Sequence, residues 1–334
     1  MKRLFLPAFI CFFSLLGINQ DALAAPFYEG KVMRMIVGHE VGGGYDRISR
    51  LIAKHIVKHI PGKPAVIVEN MPGAQSMIAA NYLYNIARPD GLTIGTFDRG
   101  LPFAQLLKMD GVKYDLTKFA WIGSAASETM VLAIRTDLPY KTIDDVRKAK
   151  EPIILAGVGA GASDTQYPTL LKEFAGLNFK MINYPSSAAS ILAIERKEVD
   201  GRAGSFSSLK PFIERGLVRA IVRSREPGGP EVDHLPVNED LTTSKIGKTI
   251  MAMMAAADHI GRPYAAPPKT PAPIVATLRE AFAKVAKDPA LQADAKKTMM
   301  PVNYTPADDA LKVLNYVLNQ PDNIVTEFGK YVKF

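Results

Sequence analysis

A short β-branched run that breaks into three glycines and restarts as an apolar stripe at helical spacing constrains this chain more than any other feature. Val32 to Val37 reads as a buried strand and Gly42-Gly43-Gly44 as a tight turn. Ile48, Leu51, Ile52, His55, Ile56 and His59 then form one face of a helix that stops at Pro61-Gly62. The same grammar repeats at once: a strand at 65–68, a turn at Pro72-Gly73, a helix over 76–87, the turn Pro89-Asp90-Gly91 and a strand at 93–96. This β-α-β-α-β order is half of a doubly wound, mostly parallel sheet, so the class is α/β.

A second set follows a segment, 121–134, that reads as one long extended stretch. Strands are expected at 152–156, 179–183, 201–205 and 218–222, and helices at 165–175, 188–197 and 209–215. The loop 226–240 is rich in Pro, Gly and acids. Residues 250–257 read as another extended stretch leading back to the first half, where helices at 273–287, 289–297 and 306–318 close the chain. Two lobes are therefore expected, one from 25–125 with 251–334 and one from 126–250, with a ligand cleft between them.

Lys2 and Arg3 before the apolar run 4–18, with Ala22-Leu23-Ala24 after it, predict a secretory leader over 1–24 and a periplasmic mature protein. The only cysteine, Cys11, falls inside that leader, so no disulfide or cysteine metal site is expected. The remaining chain, about 310 residues, is long for a single core. The net charge of +8 does not gather into one basic block. With export expected, it argues against a nucleic-acid partner and fits either simple solubility or the steering of an anionic solute.

Three stretches carry a family resemblance: Val41-Gly42-Gly43-Gly44-Tyr45-Asp46, Val68-Glu69-Asn70-Met71-Pro72-Gly73-Ala74, and Pro89-Asp90-Gly91 before a strand. With Gly159-Ala160-Gly161-Ala162-Ser163 and Glu198-Val199-Asp200-Gly201 in the same order, the chain resembles the Bug-type receptors of the tripartite tricarboxylate transporter family. The resemblance implies a type II periplasmic-binding-protein fold, a ligand with at least one carboxylate, and delivery to separate membrane subunits. A monomer without cofactor is expected.

The residues point to an anion independently. Glycines between a strand and a helix let the backbone approach a ligand, and the helix start offers free N–H groups. Four such starts are expected to line the cleft: Gly42-Gly43-Gly44, Gly73-Ala74, Gly161-Ala162-Ser163, and Ser186-Ser187. Ser205 ends another strand on the same side. Asp46 has two open roles, helix cap or ligand contact; Arg99 is either a cation for the ligand or a solvated surface residue. Glu40 departs from the family's pattern and would repel an anion unless turned away, paired or matched to a donor on the ligand; Asp164 is a second acid near the site, with helix capping as its other open role. Phe97, Tyr184 and Phe206 near the strand ends admit an aromatic acid or plain core packing.

Enzyme readings are weaker. Gly157 to Ala162 fits a dinucleotide fingerprint, but Asn183 and Tyr184 stand where its acidic residue belongs. His55 and His59 lack the acid of a zinc helix, and Ser205-Phe206-Ser207-Ser208 lacks an activating histidine. The expectation is a transport receptor, the alternative a receptor signalling through a membrane sensor kinase, and no catalysis.

Overall fold

The computed structural model describes residues 26–159 and 161–332; the expected leader with Cys11, and Ala160, lie outside them. In chain order the elements are β1 (Val32–Val37), α1 (Gly44–Ile56), β2 (Ala65–Asn70), α2 (Met77–Asn85), β3 (Thr93–Thr96), α3 (Leu101–Leu106), β4 (Ala120–Ser124), β5 (Met130–Arg135), α4 (Ile143–Arg147), β6 (Ile153–Gly157), α5 (Ser163–Ala175), β7 (Phe179–Asn183), α6 (Ser187–Glu195), β8 (Gly201–Ser205), α7 (Phe206–Glu214) and β9 (Val218–Arg223). The chain ends with α8 (Lys245–Ile260), β10 (Pro263–Ala266), α9 (Ala272–Ala286), α10 (Pro289–Lys297), the short β11 (Thr305–Pro306), α11 (Ala307–Leu318) and α12 (Asp322–Tyr331).

The strands form two sheets, ordered β11-β4-β10-β3-β1-β2 and β7-β6-β8-β5-β9. In the first, β1 runs parallel to β2 and β3, with Val32 beside Ala65 and Val37 beside Thr96, while β10 is antiparallel to β3 and β4. The second repeats the plan: β6 is parallel to β7 and β8, and β5 lies antiparallel between β8 and β9. In both sheets the parallel strands end where a glycine- or serine-rich turn starts a helix, which puts those turns at the carboxyl edge, where open α/β sheets hold ligands.

Packing follows the stripes. Ile48, Leu51, Ile52 and Ile56 of α1 bury with Met33 and Met35 of β1 and with Leu278 and Phe282 of α9. The opposite face of that sheet is closed by α2 and α11 around Phe97, Phe119 and Trp121. On the second sheet, α5 covers one face and α6 with α7 the other.

Two expected stretches are corrected. The single extended run over 121–134 is two strands in different sheets, β4 and β5, because the chain crosses between lobes at 125–129. The expected strand at 250–257 is the middle of α8, a helix capped by Ser244, whose hydroxyl accepts the Gly247 N–H at 3.1 Å. Met253, Met254, Ala255 and Ala257 are strong helix formers, and apolarity alone does not separate a buried helix from a strand. Ile250, Met251, Met253, Met254 and Ala257 of α8, with Ile324 and Phe328 of α12, pack into the core of the second sheet.

The chain also crosses between α11 and α12, and the crossings at 125–129 and 258–262 lie side by side. Ala125 N–H donates to the Arg262 carbonyl and Arg262 N–H to the Ala126 carbonyl, both at 3.0 Å, and Glu128 N–H reaches the Asp258 carbonyl at 3.0 Å. Gly261 sits between them at φ +58°, where a Cβ would stand 1.8 Å from the Ala126 carbonyl oxygen, so only glycine fits.

Candidate functional site

The turn after β1 opens the first wall. Gly43 is the residue before α1, and no side chain caps it, so the first-turn amides of α1 stay free of side-chain partners. Asp46, two residues into the helix, reaches backward: its carboxylate accepts the Gly42 N–H at 2.9 Å and the Asn70 amide at 3.0 Å and pairs with Arg50 at 2.8 Å. Burial opposes its charge, but Arg50, the Gly42 amide and Asn70 together hold the carboxyl below the ordinary range. It is thus engaged in fixing the glycine turn. Glu40 is exposed and enters no ion pair among the described residues.

The turn before α2 is strained. After Gly73 at φ +117°, three side-chain-bearing residues, Ala74, Gln75 and Ser76, take φ values of 42°, 52° and 72°. Such backbone costs about 1–3 kcal/mol per residue and persists only where its surroundings dictate it. Here the buried Ser76 hydroxyl donates to the Gly38 carbonyl at 2.9 Å and accepts the Asp98 N–H at 3.1 Å, tying the turn to the ends of β1 and β3.

The opposite wall starts at α5. Ala162 precedes it without a side-chain cap; Ser163 is its first residue, and the Gly161 carbonyl accepts the Gln166 amide at 2.6 Å. Asp164 is buried against Arg202 at 2.8 Å, and burial pushes its carboxyl up. Arg202 also donates to the Ser187 carbonyl at 3.0 Å, so one guanidinium joins the starts of α5 and α6. Ser186 caps α6 through the Ala189 N–H at 3.2 Å. Ser205 precedes α7 and donates to the Ser208 hydroxyl at 2.9 Å.

Two glycines mark places where the walls come close. A Cβ on Gly44 would stand 2.6 Å from the Ser208 hydroxyl, and one on Gly159 would stand 3.1 Å from the Gln75 amide nitrogen. Near the crossings the two sides also share a small cavity, lined among others by Arg99 from the first lobe and Ser163, Tyr167 and Asn238 from the second. The Tyr167 hydroxyl and the Asn238 side-chain oxygen Oδ1 are buried without a hydrogen-bond partner among the described residues.

Arg99 is not the solvated surface residue that was one of its two expected roles; it is buried and paired. It is 5% exposed, its Nε lies 2.8 Å from Asp258, and Nη2 lies 3.2 Å from the Met130 sulfur. Although burial opposes its charge, Asp258 holds the guanidinium protonated. Phe97 and Phe206 are core residues and Tyr184 is half-buried. His55 and His59 pair with Asp294 and Asp288 at 3.0 and 2.7 Å, joining α1 to α10, and no metal-binding cluster occurs among the described residues.

Sequence reasoning missed Arg202, Ser207, Ser208, Glu128, Asp258 and Arg262. Ser207 and Ser208 stand in a serine run weighed only for nucleophilic chemistry. The buried charges leave no local signal, since their partners are 38 to 159 positions distant in the chain.

Comparisons with known proteins bear on this geometry. The profile of the tripartite tricarboxylate transporter family receptor matches residues 48–330. A UPF0065 protein of Bordetella pertussis is 27% identical over 317 residues, covering 91% of this chain and 92% of its own. The structure of the periplasmic binding protein BugD superposes with a TM-score of 0.73 at 25% identity, over 92% of this chain and 99% of its own. MatC of Rhodopseudomonas palustris with bound malate gives a TM-score of 0.69 at 19% identity, over 91% and 99%, and shares the fold.

Proposed function

This chain belongs to the tripartite tricarboxylate transporter receptor family, whose members are solute-binding receptors rather than enzymes, and on that premise we propose that it is a periplasmic receptor that closes two lobes around a small organic carboxylate and passes it to a separate membrane transporter. The observation that carries the proposal is the contrast between cleft cations and cleft amides. Arg99, Arg202 and Arg262 already face Asp258, Asp164 and Glu128, whereas the starts of α1 and α5 have no side-chain cap. A ligand anion is then held by backbone N–H groups and hydroxyls at two helix dipole ends. Hydrogen bonds to a charged group are worth about 1.5–3 kcal/mol each, so a few offset the roughly 8 kcal/mol that micromolar binding represents.

In this reading Gly42, Gly43, Gly44, Gly73, Ala74, Gly161, Ala162, Ser163, Ser187 and Ser205 line the ligand. Asp46, Asp164, Ser186 and Arg99 hold the walls in shape, and Glu40 stands at the rim. The hinge comprises the crossings at 125–129 and 258–262 together with the link between α11 and α12. Malate in MatC, and adipate in a second R. palustris protein of this fold, support a dicarboxylate.

The test is a thermal-shift and calorimetric panel of mono-, di- and tricarboxylates, aromatic acids and amino acids on the purified protein. A carboxylate at 100 times its dissociation constant is expected to stabilise the fold by about 2.7 kcal/mol, with one site and no turnover. Stabilisation by cations alone, or conversion of any bound acid, would sink the reading.

A further inference from the structure

Arg262 leads from the second crossing into β10 and is 1% exposed. Its Nε lies 2.6 Å from Glu128 on the first crossing. One terminal nitrogen donates to the Gly44 carbonyl in the first turn of α1; the other donates to the hydroxyls of Ser207 and Ser208 in the first turn of α7, at 3.0 and 3.3 Å. The guanidinium also lies 5.6 Å from the Tyr45 ring centroid. Ser207 completes the circuit by donating to Glu128 at 2.7 Å.

These contacts differ in what lobe motion does to them. The backbone bonds between 125–126 and 262 keep Arg262 beside Glu128, and Gly44 belongs to the same lobe as β10. Ser207 and Ser208 belong to the other lobe, so opening the cleft separates them from the guanidinium. The planar fork of arginine serves the Gly44 carbonyl, the serines and Glu128 at once; a lysine ammonium keeps the charge opposite Glu128 but not that geometry.

We propose that Arg262 is a positioning residue that latches the closed form by joining the start of α1 to the start of α7, and so sets how slowly a ligand leaves. This rests on the two-lobed receptor reading. It also explains the close approach of Gly44 to Ser208, which are held by the same guanidinium.

The test uses R262K and S208A beside the wild type. Small-angle scattering of the ligand-free proteins is expected to give a larger radius of gyration for both variants, with unchanged far-ultraviolet circular dichroism. In stopped flow with malate as probe, release is expected to quicken about tenfold in R262K and about threefold in S208A, with association rates within about twofold, since interface changes act mostly on dissociation. S208A removes only a half-buried hydroxyl and guards against a folding defect in R262K. Equal radii in all three proteins overturn the latch, as does a loss of thermal stability without change in radius or release. If the wild type does not bind malate, that acid leaves the proposed ligand set, while the scattering still decides the latch.

Discussion

Asp258 closes the last turn of α8 with its carboxylate 2.8 Å from Arg99, and burial pushes its pKa up from 3.8 to about 6 against the pull of Arg99. Glu128 and Glu226 add to the rise. A folded-state value above the unfolded one means that the folded protein binds an extra proton between the two. This carboxyl by itself therefore makes the fold more stable as the pH falls from about 6 to about 4, and less stable as the pH rises through that window. Carboxyl carbon NMR is expected to show one aspartate titrating near pH 6 that vanishes in Asp258→Asn; a spectrum with every aspartate midpoint below about 4.5 contradicts it. Sequence gave no hint of this, because a lone Asp in an Ala- and Met-rich helix looks like a surface residue until its partner is known.

At the scale of elements, α10 shows how one carboxylate serves two helices. Asp288 caps α10 by accepting the Ala290 and Leu291 N–H groups at 2.9 and 3.4 Å, and it holds Lys58 and His59 of the turn after α1 at 2.6 and 2.7 Å. Lys58, the largest influence, with His59 and the two amides keeps the carboxyl well below the usual carboxylate range. Asp288→Ala is expected to cost about 1–2 kcal/mol, the usual loss for a helix cap, read as a lower urea midpoint at pH 7. The sign is opposite to that of Asp258: this stabilisation is present above pH ~4 and is lost as the pH falls toward the depressed folded value. An unchanged midpoint at pH 7 would show that water replaces the cap without cost. The Pro289 start and the end of this helix are readable in sequence, whereas its bond to α1 is not.

For the whole molecule the decisive event in the proposed receptor function is closure, and Gly44 is where it is most exposed to steric test. A methyl group there would stand 2.6 Å from the Ser208 hydroxyl, which lies across the cleft and moves away on opening, and 2.8 Å from an Arg262 nitrogen on its own lobe, at the end of a flexible side chain. Gly44→Ala is therefore expected to leave each lobe folded, since α1 accepts alanine in its first turn. It should weaken carboxylate binding by about 100-fold, a loss of about 2.7 kcal/mol, and enlarge the liganded protein in scattering. Unchanged affinity would show that the walls do not approach this closely in the bound form. The cavity behind the cleft belongs to the same scale, since Arg99 and Phe103 of one lobe line it together with Tyr167 and Asn238 of the other.

What the sequence determined by itself was periodic or punctuated: the two βαβ sets, the helix starts after glycine and serine turns, the Pro-led helices α9 and α10, and the family motifs. These are local, because strand and helix spacing and turn chemistry are written within a dozen residues. Only the tertiary structure decided that 121–134 divides between two sheets, that 250–257 is helical, and that each buried arginine of the cleft already has an acid. Those outcomes depend on which distant segments share a dry interior, where an apolar run packs in either conformation and a buried charge must find its counterpart. In the proposed function the ligand's charge thereby falls to backbone amides, a division of labour that no single stretch of this chain encodes.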